Sequence, residues 1–187
     1  MADHLWSDIA KEYSKRNRHY HNLDHLNNML TQLESCRELI TDWDCVLFAL
    51  FYHDYIYKFT AKDNEEQSAE VAKTELTLLK TPKDKIDLVA EMILATKGHD
   101  VSSNTDVNYF TDADLSILGA SHDEYDRYTA NVRKEYSIYP DILYKPGRKK
   151  VLKHFLGIPS IFKTNFFRDR LEKKARENIT RELESLS

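Results

Sequence analysis

The chain is poor in the residues that interrupt helices and in those that staple small folds. Four glycines and four prolines in 187 residues leave little material for the turns of a β-rich protein and favour long helices with short connections. Two cysteines, Cys36 and Cys45, cannot build a disulfide framework and lack zinc-site spacing, so both read as reduced thiols of a cytoplasmic protein. No run approaches 18 apolar residues, which argues against a membrane-spanning helix. Met1 to Trp6 carries neither the basic nor the apolar segment of an export signal. A net charge of −4 offers no global basic field to nucleic acid. Also missing are the Gly-rich phosphate loop, the Gly-x-Ser-x-Gly elbow, the His-Glu-x-x-His pair and the Cys-x-x-Cys knuckle.

What is present is 41% hydrophobic and 31% charged, a globular composition sized for one domain over residues 1–187. Leu5, Ile9 and Tyr13 share a helical face, predicting a first helix over 3–16. Leu26, Met29, Leu30 and Leu33 continue the pattern from Leu23. Thr41, with Asp44 three residues on, marks an N-cap for the apolar run Val46–Tyr52. Asp63 with Glu66 resembles a capping box for a helix reaching about Leu79. Pro82 opens the next at its first position, and residues 97–108 read as a polar surface loop. Ser121 with Glu124 opens a helix to Tyr136. Pro140 and Pro146-Gly147 punctuate the last third, with helices over 147–156 and 165–186. With no strand alternation, the fold class expected is all-α, one compact multi-helix bundle.

Chemistry concentrates in a few histidines and aspartates. His21 and His25 lie four apart, the spacing of one helical face. His53-Asp54 follows His25 by 28 residues and closes the apolar run, offering a neutral nitrogen and a hard anionic oxygen. A divalent metal that activates water takes that mixture. Asp114 offers a second carboxylate. His-Asp occurs three times, at His53, His99 and His122, so the dipeptide alone has no weight. Only the first combines with a buried run and an upstream histidine pair. His21 is placed to act as a general acid. Lys97, His99 and Arg18 are candidate contacts for a substrate phosphate, though surface charge explains basic residues equally well, and His99 alternatively serves a second metal.

The order His25, His53-Asp54, Asp114 resembles the HD superfamily of metal-dependent phosphohydrolases. The chain resembles its small bacterial predicted phosphohydrolases over nearly all of its length. The marks are Arg18-His19-Tyr20-His21-Asn22 with His25, Tyr52-His53-Asp54, Asp63-Asn64-Glu65-Glu66 with Ser68-Ala69, Asp112-Ala113-Asp114-Leu115 with Leu118-Gly119, and Ala175-Arg176 with Asn178. Tyr20-His21-Asn22-x-x-His25 more distantly resembles cyclic-nucleotide phosphodiesterases, in which the first histidine is the general acid and the second binds metal. Their Asp-His-Pro-Gly continuation is absent, because Tyr55-Ile56-Tyr57 follows Asp54.

The resemblance implies an HD-type helical fold. It implies a divalent ion (Mg²⁺, Mn²⁺ or another transition metal) held by His25, His53, Asp54 and Asp114, with His21 as general acid. A small phosphorylated substrate, an ester or nucleotide, is the expected partner, with neither nucleic acid nor membrane. A homodimer is one option for the assembly. Two other readings stay open: a di-iron HD-type oxygenase, and a non-catalytic metal or nucleotide sensor.

Overall fold

Side-chain caps set several of the helix boundaries in the computed structural model, which describes residues 2–186. Among these residues there are nine α-helices, two short 3-10 turns and no strand, so the all-α expectation holds. The helices are α1 (Ala2–Tyr13), α2 (Leu23–Glu34), α3 (Trp43–Tyr52), α4 (Asn64–Leu78), α5 (Lys83–Ala95), α6 (Thr105–Asp114), α7 (His122–Glu135), α8 (Asp141–Gly157) and α9 (Asn165–Ser185). The 3-10 turns are Arg37–Leu39 and Leu115–Gly119. The chain divides into two compact units, Met1–Asp114 and Leu115–Ser187.

In the first unit α3 is the central element, packed against α2, α4, α5 and α6. Val46, Ala49 and Leu50 are fully buried, as befits a helix that is apolar all round. Its N-cap is Asp42, one residue past the expected Thr41, and the Asp42 carboxylate accepts the Cys45 N–H at 3.3 Å. The expected box at Asp63 does not form, since that side chain makes no capping bond. Pro82 is the N-cap of α5 rather than its first helical residue.

Helix α6 is the element the periodicity did not reveal. Residues 97–108 were expected to be loop, yet α6 starts at Thr105. It buries Asp106, Val107, Tyr109, Phe110, Thr111, Asp112 and Ala113. Polar groups sit inside because they are paired. The Asp106 carboxylate accepts the backbone N–H of Thr41 at 2.9 Å and of Asp42 at 2.7 Å, supplying an anion at the N-terminus of α3. The Thr111 hydroxyl donates to the Val107 carbonyl at 3.0 Å. A helix with polar residues on its buried face has no apolar stripe to detect.

In the second unit α9 packs on the 115–119 turn and on α8. Several residues of the family resemblance have structural work here. The buried Asn178 amide donates to the carbonyls of Leu118 and Ala120, both at 2.9 Å. A Cβ on Gly119 would lie 2.6 Å from Leu171 Cβ and 2.9 Å from its carbonyl oxygen, so the close approach of turn and helix needs glycine. Arg176 donates to the carbonyls of Leu156, Ile158 and Pro159. The expected capping box at Ser121 and Glu124 is present. Pro146, expected to stop a helix, lies inside α8. It costs α8 the bond to the Ile142 carbonyl, and Ile142 is exposed, leaving water as the alternative partner.

Candidate metal centre

Each candidate ligand is delivered by a helix end. The Asn22 side chain accepts from the N–H groups of Asp24 and His25 at 2.9 and 3.3 Å, which starts α2 and places His25 in its first turn. His21 therefore precedes the helix and does not share a helical face with His25, contrary to the expectation from spacing. A tight turn, with Asn22 N–H donating to the Tyr20 carbonyl at 2.8 Å, still brings the two imidazoles to 5.8 Å between centroids. His53 is the C-cap of α3, its N–H donating to the Ala49 carbonyl, and Asp54 follows at once. Asp114 is the last residue of α6.

These ends converge. His25 Nε2 and His53 Nε2 lie 3.2 Å apart, His53 Nε2 and Asp54 Oδ2 3.2 Å, and His25 Nε2 and Asp114 Oδ1 3.3 Å. The wider span, His25 Nε2 to Asp54 Oδ2, is 4.0 Å. One donor atom each from His25, His53 and Asp54 lies within 4.8 Å of the others. Ligand atoms about 2.1 Å from a shared ion sit about 3.0 Å apart at right angles and about 3.4 Å apart at the tetrahedral angle. The three short spacings fall in that interval.

The tautomer of His53 also suits a ligand. Its Nδ1 donates to the Leu50 carbonyl at 2.8 Å, so Nε2 carries the lone pair in the neutral ring, the usual outer-sphere arrangement for a metal-binding histidine. Both histidines are buried, whereas the side chains of Asp54 and Asp114 keep 17% of their surface exposed. The cluster thus has an opening to solvent.

Electrostatics bind the group together. Burial works against the Asp54 carboxylate, yet the imidazoles of His53, His21 and His25 hold its pKa well below the ordinary range. Burial likewise opposes ionisation of Asp114, and hydrogen bonds from His25 and His99 outweigh it. Two anions beside two imidazoles form a donor set of the kind that takes a divalent transition ion, with the nitrogens favouring Mn²⁺, Fe²⁺, Co²⁺ or Zn²⁺ over Mg²⁺.

The other candidates have varied placements. His99 Nε2 meets the second Asp114 oxygen, Oδ2, at 2.9 Å, which makes His99 a hydrogen-bond partner of a candidate ligand. The His21 ring stacks on Tyr57 at 4.3 Å and 29° and meets the edge of Tyr20 at 4.9 Å. Lys97 forms an ion pair with Glu66 and donates to the Lys62 carbonyl at 2.7 Å. Its ammonium therefore ties α5 to the start of α4. Arg18 is buried, and its guanidinium donates to three backbone carbonyls, those of His21, Asp54 and Tyr55, at 3.2, 2.7 and 2.8 Å. Both cations are candidates to face phosphate, and in the folded chain each donates to protein oxygens.

The backbone contacts of Tyr13 and Ser68 were not foreseen from the sequence, although Ser68 stands among the marks of the resemblance. The Tyr13 hydroxyl accepts the Asp54 N–H at 3.2 Å, and the Ser68 hydroxyl accepts the Ile56 N–H at 3.0 Å. Tyr13 showed only as an apolar-face residue of α1, and nothing in its spacing points to Asp54, 41 positions away.

Compared with models of protein families, with curated proteins and with solved structures, the chain matches none. The functional reading accordingly stands on the geometry of this cluster. No helix among the described residues is long and apolar enough to cross a membrane.

Proposed function

We propose that the chain is a metal-dependent phosphohydrolase of the HD type, acting on a small phosphate ester or nucleotide in the cytoplasm. The observation that carries the reading is the group His25, His53 and Asp54, whose donor atoms lie mutually within 4.8 Å; Asp114 stands outside that group and joins it only through His25 Nε2, at 3.3 Å.

A divalent ion held by these residues would supply Lewis acidity, making water acidic near neutral pH and drawing charge from a phosphoryl group. The chain's own residues do the rest. Asp54 and Asp114 stay anionic and balance the ion's charge. The Nδ1–H of His53, anchored on Leu50, holds that ring with its lone pair inward. His21, outside the four and held by Tyr57 and Tyr20, is within reach of the cluster's edge and delivers a proton to the departing oxygen.

The test is a screen of phosphorylated metabolites and nucleotides with Mg²⁺, Mn²⁺, Co²⁺ and Ni²⁺, with Asp54→Ala as control. Release of inorganic phosphate or of a nucleotide by the wild-type chain, lost in the variant together with bound metal, supports the proposal. Equal metal content in both proteins by elemental analysis overturns it. Dioxygen uptake by protein carrying two irons would redirect the reading to an oxygenase. Tight ligand binding without turnover would redirect it to a sensor.

A further inference from the structure

Asp54 stands just past the end of α3, where no helical bond holds its peptide. Two side chains from the first 18 residues grip it instead. The Tyr13 hydroxyl accepts the Asp54 N–H at 3.2 Å, and Arg18 donates to the Asp54 carbonyl at 2.7 Å. The two grips form one unit, since the Arg18 guanidinium lies 4.7 Å from the Tyr13 ring centroid. Its other donations, to the carbonyls of His21 and Tyr55, bind the chain before α2 to the chain after α3. Tyr57, whose ring is 5.4 Å from the same guanidinium, stacks on His21.

Burying a guanidinium costs a great deal unless its donors are taken. Arg18 is 5% exposed, and its Nε finds no hydrogen-bond partner among the described residues. The three carbonyls and two ring faces therefore carry the whole burden of holding the charge inside. A residue committed in this way fixes backbone positions tightly, and the backbone it fixes belongs to a candidate ligand and to the candidate acid.

We infer that Tyr13 and Arg18 form a clamp that positions Asp54 for metal binding, touching neither metal nor substrate. The inference rests on the metal centre proposed above. Outer partners of metal ligands that are lost typically cost about 10–100-fold in affinity, and the same range is expected here.

The experiment is calorimetric titration of the metal-free full chain with Mn²⁺ and with Co²⁺, alongside thermal unfolding of each protein. Tyr13→Phe, which removes one oxygen, and Arg18→Met should each lower metal affinity about 10–100-fold. Arg18→Lys, which cannot span three carbonyls, should recover only part of that loss. Asp106→Asn, at the opposite end of α3, serves as the stability control: it should lower the melting temperature yet leave metal affinity at the wild-type value. Wild-type affinity in the clamp variants overturns the clamp while leaving the metal centre standing. So does a loss in Asp106→Asn that tracks its destabilisation as closely. Failure of the wild-type chain to take up either ion overturns the metal centre itself, and the clamp with it. If Arg18→Met does not fold, Tyr13→Phe decides.

Discussion

His99 holds Asp114 from a left-handed backbone. Its φ is 54°, its N–H donates to the Ala95 carbonyl at 2.9 Å, and its Nε2 reaches Asp114 Oδ2 at 2.9 Å. That conformation costs a residue with a Cβ roughly 1–2 kcal/mol, and strain of this kind gathers where geometry serves a site.

The strain and the contact can be separated at position 99. Both His99→Ala and His99→Gly lose the partner of Asp114 and should weaken Mn²⁺ binding by about 10–100-fold. They should differ in stability, with the glycine variant about 1 kcal/mol the more stable because it adopts positive φ freely. Chemical denaturation of the metal-free proteins measures that difference. Equal stability of the two variants would remove the strain from the account.

Protons and metal should compete at His53. In the ion-free protein burial disfavours the imidazolium, but the carboxylates of Asp54 and Asp114 prevail and push its pKa up to about 9. A group raised on folding contributes its stabilisation fully below its unfolded value of about 6.5. That contribution fades as pH climbs through the folded value of about 9. With chelator present, the melting temperature should therefore fall over this interval. Added Mn²⁺ should stabilise more as pH rises through the same range, because binding displaces the proton. Melting curves with and without the ion check the sign; an increment independent of pH would contradict it.

Cys45 should be inert in the native protein. Burial, reinforced by the neighbouring Asp42 carboxylate, pushes its thiol up to about 12, and the residue is 4% exposed. The thiolate is the reactive form. In a Cys36→Ser background, modification by a thiol reagent at pH 8 should thus wait on unfolding and run at the rate of that event.

Asp106 should matter to stability. Its carboxylate accepts two N–H groups at the start of α3, and hydrogen bonds to a charged group are each worth about 1.5–3 kcal/mol. Asp106→Ala should cost about 3 kcal/mol in urea unfolding. A change below about 0.5 kcal/mol, the range of an ordinary surface substitution, would show that water replaces the carboxylate there.

Gly119→Ala should destabilise the second unit. The added methyl would meet Leu171 at distances that no side-chain rotation relieves, backbone included, and overpacking of this sort costs about 1–3 kcal/mol. Thermal unfolding is the measurement, and a melting temperature unchanged from wild type would mean that the turn yields.

The sequence was most legible where a local rule operates. Ser121 ahead of Glu124 and the apolar run into His53 each correspond to a helix end in the structure. It was least legible at α6, whose buried Asp106, Thr111 and Asp112 break the stripe that periodicity seeks, and at α8, which continues through Pro146. Arg18 and Lys97 illustrate the same limit among candidate site residues. Their charge is visible in the sequence, but which oxygens meet it is settled by chain segments 31 to 37 positions away.

By itself, then, the amino-acid order determined the helical class, the end of α3 at His53, and the residue types able to hold a divalent ion. Those follow from neighbours within one or two turns, where capping and side-chain periodicity act. Only the tertiary structure decided that His25, His53 and Asp54 meet, that Asp114 reaches His25 and His99, and that Tyr13 and Arg18 hydrogen-bond the Asp54 backbone. Such meetings arise from packing α2, α5 and α6 around α3, and burial energy summed over many side chains leaves no local signature in any of the residues it brings together.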